Sequence, residues 1–200
     1  MEHRRWFHAD ILKAQQKVVK DGVYSHDNFA FGTTPCYTWH RVLSTDSVNH
    51  ALRACQLEMK QQRSSHVTVF GSSTGSLVLF THLLAGVRCV GVEILPHLHH
   101  VAESVAQKFQ ISNCVFVNQD MLTFDVESSR LLVLTSQCWD ADLCTSLRQK
   151  IEQELVAGAI VVDYQASILE SSKHFELVET VEACEVSWHE DLTMFVFRKI

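Results

Sequence analysis

Residues 66–93, HVTVFGSSTGSLVLFTHLLAGVRCVGVE, decide how this chain is read. The apolar run 66–70 predicts a strand. The small-residue turn 71–75 (Gly71, Ser72, Ser73, Thr74, Gly75) follows, and the apolar stretch 76–85 predicts a helix. A second apolar run, 88–93, predicts a strand that ends on a carboxylate, Glu93. Strand, glycine turn, helix, strand, acid is the order in which doubly wound α/β folds build a nucleotide site.

Working outward, strands and helices keep alternating. Strands are expected over 114–117, 130–135 and 159–163, with helices from Pro96 to about residue 109 and from 141 to 156. Proline is well tolerated at the first helical position. The final strands, 175–183 and 192–198, have only the polar link His189, Glu190, Asp191 between them. The expectation is five βα units and an α/β fold: a doubly wound, mostly parallel seven-stranded sheet with an antiparallel end. Residues 1–62 are read as an N-terminal helical cap on a Rossmann-like domain spanning 63–200. In the cap, 6–19 and about 46–62 have helical periodicity, and Ser44, Thr45 or Asp46 can cap the second helix. Residues 21–40 read as loop.

Composition sets outer limits. The chain has 200 residues, 46% hydrophobic and 20% charged, enough for one domain with a sizeable core. A net charge of −6 gives no general affinity for nucleic acid or anionic membrane, so neither is expected as a partner. No secretory leader and no membrane span is read from the sequence. Seven cysteines are scattered without a C-x-x-C pair; most sit in apolar runs and read as buried apolar residues in a reducing compartment, cytoplasmic or nuclear. The run His97, Leu98, His99, His100 does not converge on one ion, so no metal is expected.

Several residues carry ligand chemistry. Small side chains at 71–75 let backbone N–H groups approach a ligand at the start of a helix. Glu93 lies 22 residues beyond Gly71, a spacing at which a carboxylate accepts both hydroxyls of a ribose. Asp120 can receive an adenine amine, with Met121 packed on the base. Thr135, Ser136 and Trp139 fall at the carboxyl edge of the sheet, where open α/β sheets bind ligands. Cys138 lacks a base nearby in sequence and is not read as a nucleophile. Ser76 stands where a dinucleotide fingerprint has its third glycine, which disfavours a nicotinamide or flavin enzyme.

The pattern resembles the class I, seven-stranded S-adenosylmethionine-dependent methyltransferases. A narrower likeness is to the non-SET histone lysine methyltransferases, the Dot1-like family. The turn G-S-S-T-G-S-L-V-L resembles that family's G-S-G-V-G-Q-V-V-L, and G-V-E (91–93) is matched directly. Val186, Ser187, Trp188 resembles its V-S-W before the last strand. Phe31, Gly32, Thr33, Thr34 stand where that family has a Y-G-E loop.

The resemblance implies S-adenosyl-L-methionine as cofactor, held by Gly71 to Gly75, Glu93, Asp120, Met121 and Thr135, with Ser136 and Trp139 bordering the acceptor. It implies a protein amine as acceptor, with a small molecule as the other class. Departures matter equally. Val69 replaces the acid that usually ends the first strand, and Ser73 the middle glycine. Thr33 or Thr34 replaces the loop Glu, and Thr135 and Ser136 an Asn pair. These changes support a second expectation, a methyltransferase-like fold that serves as a binding or assembly module. That expectation predicts an empty or obstructed cleft, and cofactor binding strengthened by Val69→Asp.

Overall fold

A computed structural model describes Lys13 and residues 32–200. The helix expected over 6–19 (apart from Lys13, which is helical) and loop residues 21–31, Phe31 included, lie outside the described residues.

Two helices precede the sheet: α1 (Cys36–Leu43) and α2 (Asp46–Lys60). The alternating part comprises β1 (His66–Phe70), α3 (Ser76–Ala85), β2 (Cys89–Glu93), α4 (Pro96–Lys108), β3 (Cys114–Asn118), β4 (Ser129–Leu134), α5 (Ala141–Glu154) and β5 (Ile160–Asp163). Long strands β6 (Phe175–Val186) and β7 (His189–Lys199) close it.

The seven strands lie in the order β3-β2-β1-β4-β5-β7-β6. β1 to β5 are parallel, β7 runs antiparallel to β5, and β6 runs antiparallel to β7. The order reverses between β1 and β4, which opens a crevice at their carboxyl ends.

The pleat divides the core in two. Val67, Val69, Val133 and Val162 face α1 to α4, while Phe70, Leu132, Leu134 and Val161 face α5 and the neighbouring loops. Thr68 and Ser129, both fully buried, satisfy each other through a 2.6 Å hydroxyl pair.

Three sequence expectations are corrected. Residues 36–40 belong to α1 rather than to a loop. Pro35, at φ −58°, precedes the first turn, and Trp39, Val42 and Leu43 at i, i+3, i+4 are buried on the sheet. The indole Nε1 of Trp39 donates to Thr81 Oγ1 at 2.8 Å, which ties α1 to α3. Next, only β1, β2 and β4 lead to an α-helix before the following strand, β4 by way of a 3₁₀ turn at Ser136–Cys138. After β3 the chain makes a single 3₁₀ turn at Met121–Thr123, and after β5 it makes turns alone. Finally, His189, Glu190 and Asp191 are strand residues, and the link is the two-residue turn Ser187, Trp188. Polar side chains there signalled an exposed strand rather than a break.

Candidate functional site

The turn after β1 is shaped by its backbone. Gly71 at φ +66° and Gly75 at φ +84° occupy the left-handed region, and Gly75 caps α3. A Cβ built on Gly71 would lie 2.4 Å from Thr135 Oγ1, and one on Gly75 2.7 Å from the Phe116 ring. Ser73 also adopts a left-handed φ, +51°. It takes the conformation a glycine would take and bears the strain of a side chain there.

Glu93 holds this turn. Its carboxylate accepts the Ser73 N–H at 2.8 Å through Oε2 and the Leu95 N–H at 2.9 Å through Oε1. The side chain is buried, yet it lies on the wall of the cleft. Each oxygen keeps lone-pair capacity for a further donor. Asn118 braces the same edge, donating from Nδ2 to the carbonyls of Glu93 and Ile94 at 2.7 and 3.0 Å. Ser72 is also buried on the cleft wall, and its hydroxyl has no hydrogen-bond partner.

The remaining expected residues divide. Asp120 lies on the wall and its side chain accepts the Leu122 N–H at 2.9 Å, capping the 3₁₀ turn that begins at Met121. Thr135 lines the cleft with its hydroxyl 3.0 Å from the carbonyl oxygens of both Phe70 and Gly71, so it braces β4 against the turn. Trp139 lies beside it. Ser136 does not border the cleft. It is fully buried, and its hydroxyl donates to Asp163 at the end of β5. Val69 is likewise no wall residue, being fully buried in the larger core. An aspartate there would be set among apolar side chains and not on the cleft wall.

Among the described residues, the cleft bounded by these side chains has a volume of about 840 Å³. Its other side brings together two strings that the sequence resemblance had marked separately, residues 32–34 and 186–188. β7 pairs with β5 only from Phe195 to Arg198, so residues 189–194 run past the parallel strands, roughly 20 Å of chain. A bulge in β6 with Ala183 at φ +51° bends this overhanging hairpin. α1 fixes the bend: Arg41 donates to the carbonyls of Ala183 and Glu182 at 2.8 and 2.9 Å, and Thr38 Oγ1 to that of Glu185 at 2.8 Å. The hairpin tip then meets residues 32–34. Ser187 N–H donates to Thr33 O at 3.0 Å, and Thr33 N–H to Ser187 Oγ at 2.8 Å.

Trp188 lies against Gly32, where a Cβ would come within 1.8 Å of the indole. Tyr164 makes an edge contact with Trp188 at 5.7 Å and shares a 2.5 Å hydroxyl pair with Thr34. Burial pushes the Tyr164 phenol up from its ordinary range. The V-S-W string was visible in the sequence. Its meeting with residues 32–34, 154 positions away from Ser187, was not.

Asp163 is the most perturbed acid near the site. Burial raises its carboxyl to about 7, against the opposing hydrogen bond from Ser136. Its Oδ2 has no partner.

Fold and strand order are those of the class I S-adenosylmethionine-dependent methyltransferases. An RNA methyltransferase from Salinibacter ruber, in complex with S-adenosyl-L-homocysteine, is similar at a TM-score of 0.57 and 19% identity, over 78% of this chain and 92% of its own. The N-methyltransferase NodS from Bradyrhizobium japonicum, also with S-adenosyl-L-homocysteine, gives 0.51 and 18%, over 82% and 97%. MtNAS in complex with MTA and tNA gives 0.57 and 14%, over 98% and 74%. No protein-family model matches the sequence, and no curated protein matches it at a significant level. These neighbours lend no support to the narrower Dot1-like likeness. The expectation against nucleic-acid partners also lacks support, since an RNA methyltransferase is among them. Among the described residues, no helix is long and apolar enough to cross a membrane, and no group of three or more His, Cys, Asp or Glu could hold a metal.

Proposed function

We propose that this chain is an S-adenosylmethionine-dependent methyltransferase acting in the cytosol or nucleus, with residues 1–62 as a cap on the 63–200 domain. The observation that carries the reading is the Glu93 carboxylate, buried on the cleft wall and bonded to the glycine turn. The residues present fit the cofactor: the Glu93 carboxylate on the cleft wall keeps lone-pair capacity for further donors, and the buried Ser72 hydroxyl lacks a partner. Gly71 to Gly75 and Ser72 would hold the cofactor's centre, Glu93 its ribose hydroxyls, and Asp120 with Met121 its adenine. Thr135 keeps the turn in place.

When bound, S-adenosylmethionine supplies a methyl group already activated as a sulfonium. The protein then mainly needs to align the acceptor and exclude water, which is a positioning task. The strap of residues 32–34 and the β6–β7 tip cover the cleft beside Trp139 and are the parts suited to it. A protein amine is the acceptor that the Dot1-like likeness implies, and a small molecule the other class.

Calorimetric titration with S-adenosylmethionine and S-adenosylhomocysteine tests the proposal. Binding is expected, and no heat at millimolar ligand refutes it. A second reading, a module that no longer catalyses, is favoured by the strained Ser73. Cofactor binding without turnover over a broad acceptor panel would support that reading instead.

A further inference from the structure

The two ends of the cleft differ in charge. Its only carboxylates among the described residues, Glu93 and Asp120, lie at the ends of β2 and β3, and no described lysine, arginine or histidine lines it. The opposite end, under β4, β5 and the hairpin tip, is walled by Trp139, Leu143, Tyr164 and Trp188. Polar groups there are neutral, and the Thr34 and Tyr164 hydroxyls already bond each other. Trp188 rests on Gly32 and is still 40% exposed beside the cleft.

Among the described residues that line this end, a phosphate would find no cation, and an ammonium would exchange its hydration shell for cation–π contact alone, with no lining carboxylate. A flat neutral ring would lose little hydration and gain stacking or edge contacts with the indoles. We infer that the acceptor end takes an uncharged, planar aromatic small molecule, in preference to a lysine side chain or a nucleic-acid strand. This inference rests on the methyltransferase reading for its role. The slot itself is defined by the side chains alone.

Quinoline, neutral at neutral pH, is a suitable probe. Saturation-transfer NMR on the full chain saturated with S-adenosylhomocysteine is expected to show quinoline contact. Trp188→Ala should reduce that signal at least fivefold, and Trp188→Phe should retain most of it. A lysine-rich peptide or a short oligoribonucleotide, added in excess, should not displace the probe. The inference is overturned if quinoline fails to bind, if Trp188→Ala leaves its signal unchanged, or if either competitor displaces it. Circular dichroism of Trp188→Ala verifies its fold, and Trp188→Phe covers the case in which it is lost. Absence of S-adenosylhomocysteine binding would remove the methyltransferase reading, while quinoline contact at Trp188 would still decide the nature of the slot.

Discussion

Replacing Asp163 by asparagine should flatten part of the protein's pH–stability profile. Asp163 is fully buried at the end of β5, with one carboxyl oxygen bonded to Ser136 and the other unpartnered. Burial raises its folded pKa to about 7 from an ordinary value of 3.8. A carboxyl raised in the folded state binds its proton more tightly there than in the unfolded chain. Its favourable contribution is therefore fully present below pH ~4 and is lost as pH rises through ~7. Between pH ~5 and ~8, linkage at about 1.4 kcal/mol per unit gives a loss of roughly 2.5 kcal/mol.

The amide of the Asp163→Asn variant cannot titrate, and the other groups cancel when variant and wild type are compared. Urea unfolding across that range should show the wild type losing about 2.5 kcal/mol relative to the variant, about 1 M in midpoint for a typical slope. The introduced amide is left unsatisfied at a cost of about 1–3 kcal/mol, but that cost is independent of pH. A difference curve that is flat, or that rises with pH in favour of the wild type, would refute the argument.

The other predictions concern the turn and its support. Glu93→Gln removes a charged acceptor from two N–H groups, so S-adenosylhomocysteine affinity should fall about 10- to 100-fold by calorimetry. Gly75→Ala meets both the φ penalty and the Phe116 ring, and should destabilise by about 2–4 kcal/mol. Gly86→Ala shares a left-handed φ of +66° with nothing within 4 Å, and should cost only about 1–2 kcal/mol. Equal urea midpoints for these two variants would count against the packing argument. Val69→Asp buries a carboxylate among apolar side chains, and should destabilise by about 3–5 kcal/mol without improving cofactor affinity. Tighter binding in a stable Val69→Asp protein would show that this side chain does reach the ligand.

The sequence by itself determined the elements from His66 to Asp163, because their apolar periodicity, the turn glycines and Pro96 are local signals. It also marked the wall residues Gly71, Glu93, Asp120 and Met121, since strand ends and fixed spacing place them at the sheet's carboxyl edge. It could not show that Glu93 turns one oxygen to Ser73 and the other to Leu95, nor that Ser136 faces Asp163 instead of the cleft. Those outcomes depend on which face of a strand end is left when neighbouring strands pack. α1 was hidden in a stretch rich in turn residues, and its burial against the sheet overrode the local bias.

How the parts of the roof of the cleft meet was decided by tertiary structure alone. Trp188, Tyr164 and residues 32–34 are distant in sequence, and only antiparallel pairing of β7 beyond the end of β5, with α1 holding the bulge, brings them together. A period of two or 3.6 reports which side of an element is buried. It carries no information about how far a hairpin overhangs its sheet or which loop it meets there.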